Sequence, residues 1–210
     1  MTIVLGSLFP ERLNLNGDQG NLLAMQRYLQ AAGFDVRIAS VGSANEYDNV
    51  HFVLFGHGSL AAMASLETQL SAVDFAFLMQ NRPGLAIGSG FEYLSGHNLT
   101  KGQIVRGDRV SQFEVGKLGK LSALGYRNTN SGLSNLEMNG NWICTMLHGP
   151  ILAKNPELLD RAAKAAVTAA GLLWPERPSV ELQDWVAQLN RISGVIWAVE
   201  TQEDFEALEI

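Results

Sequence analysis

Short apolar runs alternate with helical patterns through the first half of the chain, and this alternation limits the fold more than any other feature of the sequence. Ile3–Leu8, Phe34–Ala39, His51–Phe55 and Gly84–Ile87 read as strands. Between the first two, Leu22, Leu23, Met25, Tyr28, Leu29 and Ala32 recur at helical spacing, which predicts a helix over Asn21–Ala32 with Gly33 as its C′ residue. A second helix is expected over Ala61–Gln80. The resulting β-α-β-β-α-β order calls for an α/β fold, a mostly parallel central sheet flanked by helices. From Gly102 to Leu147 the pattern changes. Gly, Asn and Ser punctuate segments such as Lys120–Tyr126 and Trp142–Leu147, so antiparallel strands and loops are expected there. Asn155-Pro156-Glu157 then opens an Ala-rich helix to about Ala170, with Asn as N-cap, Pro at N1 and an acid in the first turn. Val180–Ile192 reads as a further helix, with Leu182, Trp185, Val186, Leu189 and Ile192 on one face. Val195–Val199 is expected to be a strand and Thr201–Leu208 a short capped helix.

Composition narrows the functional classes. With 210 residues, 47% of them hydrophobic, the chain is long enough for one well-cored domain, and no linker divides it. A net charge of -6 without any Lys/Arg cluster argues against nucleic acid or an anionic membrane as partner. The N-terminus lacks a basic leader, and no run is apolar for long enough to span a bilayer. One cysteine, Cys144, excludes an intrachain disulfide, and a cytoplasmic location is expected. No His/Cys/Asp/Glu spacing suits a metal, and no phosphate-binding or dinucleotide fingerprint implies a cofactor.

Three stretches carry candidate chemistry. Pro83–Leu94 is a buried strand running into a helix through small residues, the form of a nucleophile elbow. Such a turn needs small residues two positions to either side of its tip, and Ala86 and Gly90 meet that rule around Gly88. The tip is therefore a glycine, which has no side chain to attack with. Ser89 would need small residues at 87 and 91, where Ile87 and Phe91 stand; as a helix-start serine it bonds backbone instead. In the second stretch, Trp142–Pro150, a strand ends at His148. Cys144 lies four strand residues before it, roughly 13 Å away at about 3.3 Å per residue. That exceeds the ~3 Å over which a base activates a nucleophile, so Cys144 reads as a packing residue. The third stretch is the turn Gly56-His57-Gly58 after the third strand, whose N–H groups can hold an oxyanion or a carboxylate.

Together these stretches resemble the class I (triad) glutamine amidotransferases, in the branch with cobyric acid synthase and the glutaminase subunit of lipid II isoglutaminyl synthase. Leu8-Phe9-Pro10-Glu11-Arg12-Leu13-Asn14-Leu15-Asn16-Gly17-Asp18-Gln19-Gly20-Asn21 is similar to the family's "LNLYGDxGN" signature, and Thr145–Pro156 to its "YLHGPLLPKNP" segment. Pro83–Leu94 aligns with "PGLxxCGGYQxLG". The likeness covers about residues 1–170, and 175–210 diverge. It implies a flavodoxin-like fold and a glutaminase that passes ammonia to an ATP-dependent, Mur-ligase-like partner subunit. By position, His148 takes the place of the catalytic histidine, Gly56–Gly58 that of the oxyanion loop, and Gly88 that of the nucleophilic cysteine. Around them, Gly90, His57 and Asn128 fall in substrate-binding segments, and Arg109 is the nearest counterpart of the glutamine-binding arginine.

The departures cluster at this pocket. "CGGYQ" is Gly88-Ser89-Gly90-Phe91-Glu92, "GGGxDxEQ" is Gly56–Met63, and "ENHGG" corresponds at best to Arg127–Gly132. Three readings follow: an amidotransferase-like protein without glutaminase activity that serves an amidating subunit as its partner or scaffold; a hydrolase of another amide or ester using Ser89 and His148; and a non-catalytic module that binds glutamine or another small carboxylate at the Gly56–Gly58 turn.

Overall fold

Six strands form the central sheet of the computed structural model, which describes residues 1–42, 44–71 and 73–201. They are β1 (Ile3–Leu8), β2 (Val36–Val41), β3 (Phe52–Phe55), β4 (Gly84–Ile87), β7 (Glu137–Asn139) and β8 (Trp142–Thr145). Their order is β2-β1-β3-β4-β8-β7, parallel throughout except for β7 at the edge. A second, antiparallel sheet holds β5 (Arg106–Leu118), β6 (Leu121–Ser131) and β9 (Leu147–His148) in the order β5-β6-β9.

Every residue of β1, β3, β4 and β8 is buried, as a parallel sheet covered on both faces requires. The two-residue period of a strand divides these side chains between two cores. Ile3, Leu5, Phe52, Leu54, Leu85, Ile87 and Ile143 pack with α1 (Gln19–Ala31), α5 (Ile151–Lys154), α6 (Pro156–Ala169) and α7 (Val180–Thr201). Val4, Val53, Phe55, Ala86, Trp142 and Cys144 face α2 (Leu60–Ser71), α3 (Phe75–Asn81) and α4 (Ser89–Gly96). Among the described residues no helix is long and apolar enough to cross a membrane.

Several boundaries differ from the sequence expectation, each for a local reason. The second strand starts two residues later, at Val36, because Gly33 (φ 91) and the Phe34 N–H bond to the Leu29 carbonyl still belong to the end of α1. The single helix expected over Ala61–Gln80 is two, since the Asp74 carboxylate caps a new helix by accepting from the Phe77 N–H at 2.9 Å. Trp142–Thr145 pairs antiparallel with β7, as expected, but its other edge joins β4 in the parallel sheet, and only Leu147–His148 crosses to the second sheet. Val195–Val199 is helical, because α7 runs on to Thr201, and Ile192 is half exposed instead of lying on the buried face. The rest of the expected final helix, from residue 202 on, lies outside the described residues.

Candidate active site

The β4–α4 junction has the strained geometry expected of an elbow, with Gly88 at φ 55 and ψ -114. Its N–H bonds the Thr145 carbonyl and its carbonyl accepts from the Glu92 N–H, both at 2.9 Å, so the turn is tied to β8 and α4. Gly90 lets α4 approach β3: a Cβ there would lie 2.5 Å from the Phe55 carbonyl oxygen.

His57 leans over this turn from the loop after β3. Its Nδ1 accepts the Ser89 N–H at 3.0 Å, which places the ring proton on Nε2. The His57 N–H donates to the Asp18 carboxylate at 2.6 Å, and the Gly58 N–H to the Ser89 hydroxyl at 2.8 Å. The N–H groups expected to receive an anion at the Gly56–Gly58 turn are thus bonded internally at His57 and Gly58. Gly56 is a packing position, since a Cβ on it would stand 2.1 Å from the Leu13 carbonyl. Neither Gly56 nor Gly90 lines the cleft, in contrast to the substrate-binding role expected of them.

His148, at the end of β9, is 4% exposed. Its ring lies 4.6 Å from that of His57, centroid to centroid. It hydrogen-bonds the Asn128 backbone, and Nδ1 has no partner among the described residues. Burial, reinforced by the neighbouring His57, pushes its pKa down to about 4. Burial also lowers His57, against the pull of Glu92. The Ser89–His148 dyad does not form: Ser89 Oγ is bonded to Gly58, and the free nitrogen of His148 bonds nothing among the described residues. Cys144 is fully buried in β8 opposite Ala86, its thiol pushed up by burial.

The motif residues explain how these groups are held. Asp18 is buried under the His57 loop, with its pKa raised by burial to about 7 and its Oδ1 without a partner among the described residues. Asn21 donates to the carbonyls of Asp18 (2.8 Å) and Gly149 (3.3 Å) and accepts the Leu152 N–H at 2.8 Å, clamping the N-terminal motif to the histidine segment. Asn155 stands at the N-cap position of α6, but its side chain instead bonds Leu124 of β6 and the Ile151 carbonyl.

A cleft of 510 Å³ opens over the turn, the size of a small-molecule site. His57, Ser89, Asn128, Arg109 and His148 all reach it. Arg109 donates from Nε and Nη2 to Asn128 Oδ1 at 3.0 and 2.8 Å, and no ion pair among the described residues engages it. Sequence reasoning missed Arg106 and Glu92, which face each other across the rim in a two-pronged ion pair at 2.7 and 3.1 Å. It also left Asp18 as a motif letter without a role. Glu92 follows the elbow by one helical turn, a signal that was available; nothing local marks Arg106 as its partner.

No family model matches the chain, and no curated protein is similar to it. Solved structures are similar in fold. One from Thermoplasma acidophilum, named for a subunit of GMP synthase, is 14% identical, with a TM-score of 0.50 over 81% of this chain and 96% of that one. A glutamine amidotransferase from Thermotoga maritima is 13% identical, with a TM-score of 0.46 over 92% and 94% of the two chains. The glutaminase domain of Trypanosoma brucei CTPS is 7% identical, with a TM-score of 0.47 over 85% and 98%. The chain therefore shares its fold, a mostly parallel sheet covered by helices on both faces, with the structure named for the GMP synthase subunit.

Proposed function

We propose that this protein is an amidotransferase-fold subunit without glutaminase chemistry, acting as partner or scaffold of an ATP-dependent, Mur-ligase-like amidating subunit. One observation carries the reading: the elbow keeps its strained backbone at residue 88, yet bears no side chain there. Covalent amide cleavage needs a nucleophile within hydrogen-bond reach of its base, and neither Ser89 nor Cys144 is placed to serve. The two motifs similar to the isoglutaminyl synthase subunit support the choice of partner. Asn21 clamps the two motifs to each other, while the substitutions gather in the pocket.

Co-purification from the native host tests the partnership. The expected result is an ATP-dependent ligase subunit recovered with the protein at fixed stoichiometry. Recovery of the protein without such a subunit, from cells that express one, overturns it.

A further inference from the structure

We propose that His57 is a built-in occupant of the vacated nucleophile position: its imidazole fills the space a side chain on residue 88 would need and caps the elbow's own N–H donor. The nucleophile position is filled by this loop as well as lacking its side chain, while the cleft above it stays open. The inference rests on the reading of residue 88 as the elbow tip.

A Cβ built on Gly88 lies 2.5 Å from His57 Nδ1, 3.0 Å from its Cγ and 2.6 Å from His148 Cε1. The two shortest are closer than real Cβ atoms approach, and the third is at that limit. The His57 atoms belong to the near side of the ring, so no small movement of a flexible tip relieves them; the imidazole must rotate away. Rotation breaks the Ser89 N–H bond to Nδ1 and the ring contact with His148. The loop backbone gives little help. Its N–H at His57 is held by Asp18, and a Cβ on Gly56 or Gly58 would meet the Leu13 carbonyl at 2.1 Å or the Leu13 side chain at 2.7 Å. In an acyl-transfer elbow, the N–H after the nucleophile and one from the loop beyond the third strand together hold the oxyanion. Here Ser89 N–H meets His57 Nδ1, and Gly58 N–H meets Ser89 Oγ. Both donors are present and neither is free. Restoring a thiol at 88 is therefore insufficient to rebuild the site; His57 must leave as well, and the edge of the His148 ring must shift.

The test is a double-mutant cycle of Gly88→Cys and His57→Ala, read by melting temperature and by alkylation with iodoacetamide. Cys144, the only native cysteine and fully buried, sets the background in the wild type. Backbone strain at residue 88 is common to both backgrounds and cancels in the cycle. The plug predicts that Gly88→Cys lowers the melting temperature strongly in the native background and much less beside His57→Ala. It also predicts alkylation of the introduced thiol at least about ten-fold faster in the double variant. Additive melting shifts overturn the plug. Gly88→Ala, alone and with His57→Ala, gives the same stability comparison with a smaller side chain if the cysteine variant does not fold. A folded double variant whose introduced thiol stays inert contradicts the elbow reading instead, while the melting temperatures still decide the plug.

Discussion

At the Gly56–Gly58 turn, a carboxyl and two imidazoles are pushed in opposite directions by the same cause. Burial disfavours the charged form of each, raising Asp18 to about 7 and lowering His148 to about 4. Their effects on stability oppose one another. Below pH 6.5 the unfolded chain takes up the histidine proton more readily, so this group makes stability fall as pH drops toward 4. Above pH 3.8 the unfolded chain releases the aspartate proton more readily, so that group makes stability fall as pH rises toward 7. Asp18→Asn removes only the second effect. The difference in unfolding free energy, variant minus wild type, is expected to grow in the variant's favour between pH 4 and pH 7, by on the order of 4 kcal/mol. Urea titrations at several pH values measure it, and a difference independent of pH contradicts the assignment. At this scale the spacing rule located Gly88 and the strand end located His148 without any structure. His57 showed no partner in the sequence because its partners, Asp18 and Ser89, lie 39 and 32 residues away along the chain.

Elements were legible where their ends carry local chemistry. Gly33 closing α1 and Pro156 opening α6 are read from single residues. Ala86 and Gly90 around the elbow follow from sterics alone. Strand direction was legible only in part: Trp142–Thr145 is antiparallel to β7, but it runs parallel to β4 because the intervening β5–β6 hairpin returns the chain to the same edge, which a local pattern does not encode. The β-branched residues near the C-terminus favoured a strand, but tertiary contacts prevail there. Ser193 Oγ bonds the Lys154 carbonyl, and Ala198 is buried, so α7 continues. Asn21 joins α1 to the segment leading into α5, and its loss leaves the Leu152 N–H without its acceptor, while the Asp18 and Gly149 carbonyls keep the backbone N–H groups of Asn21 and Ile151. Asn21→Ala is expected to cost about 2 kcal/mol in chemical denaturation. A cost within experimental error of zero would show that the clamp holds nothing.

At the scale of the whole molecule, the sheet supplies two cores and the second sheet supplies the wall of the cleft. β6 brings Asn128, β5 brings Arg106 and Arg109, and β9 brings His148 to one opening above the central strands. The fold was legible from apolar periodicity, since strands buried on both faces leave few other arrangements. The cleft was legible only through the resemblance, because its wall is built from residues distant in sequence. The proposed reading is a scaffold whose elbow lacks the group that attacks and whose two oxyanion donors are already bonded within the protein. The most direct measurement of that claim is ammonia release from glutamine by the purified wild-type protein, alone and with its co-purified subunit, beside His148→Ala. Rates equal to the His148→Ala control in both settings are the predicted result. Glutamine hydrolysis that His148→Ala abolishes would contradict the account.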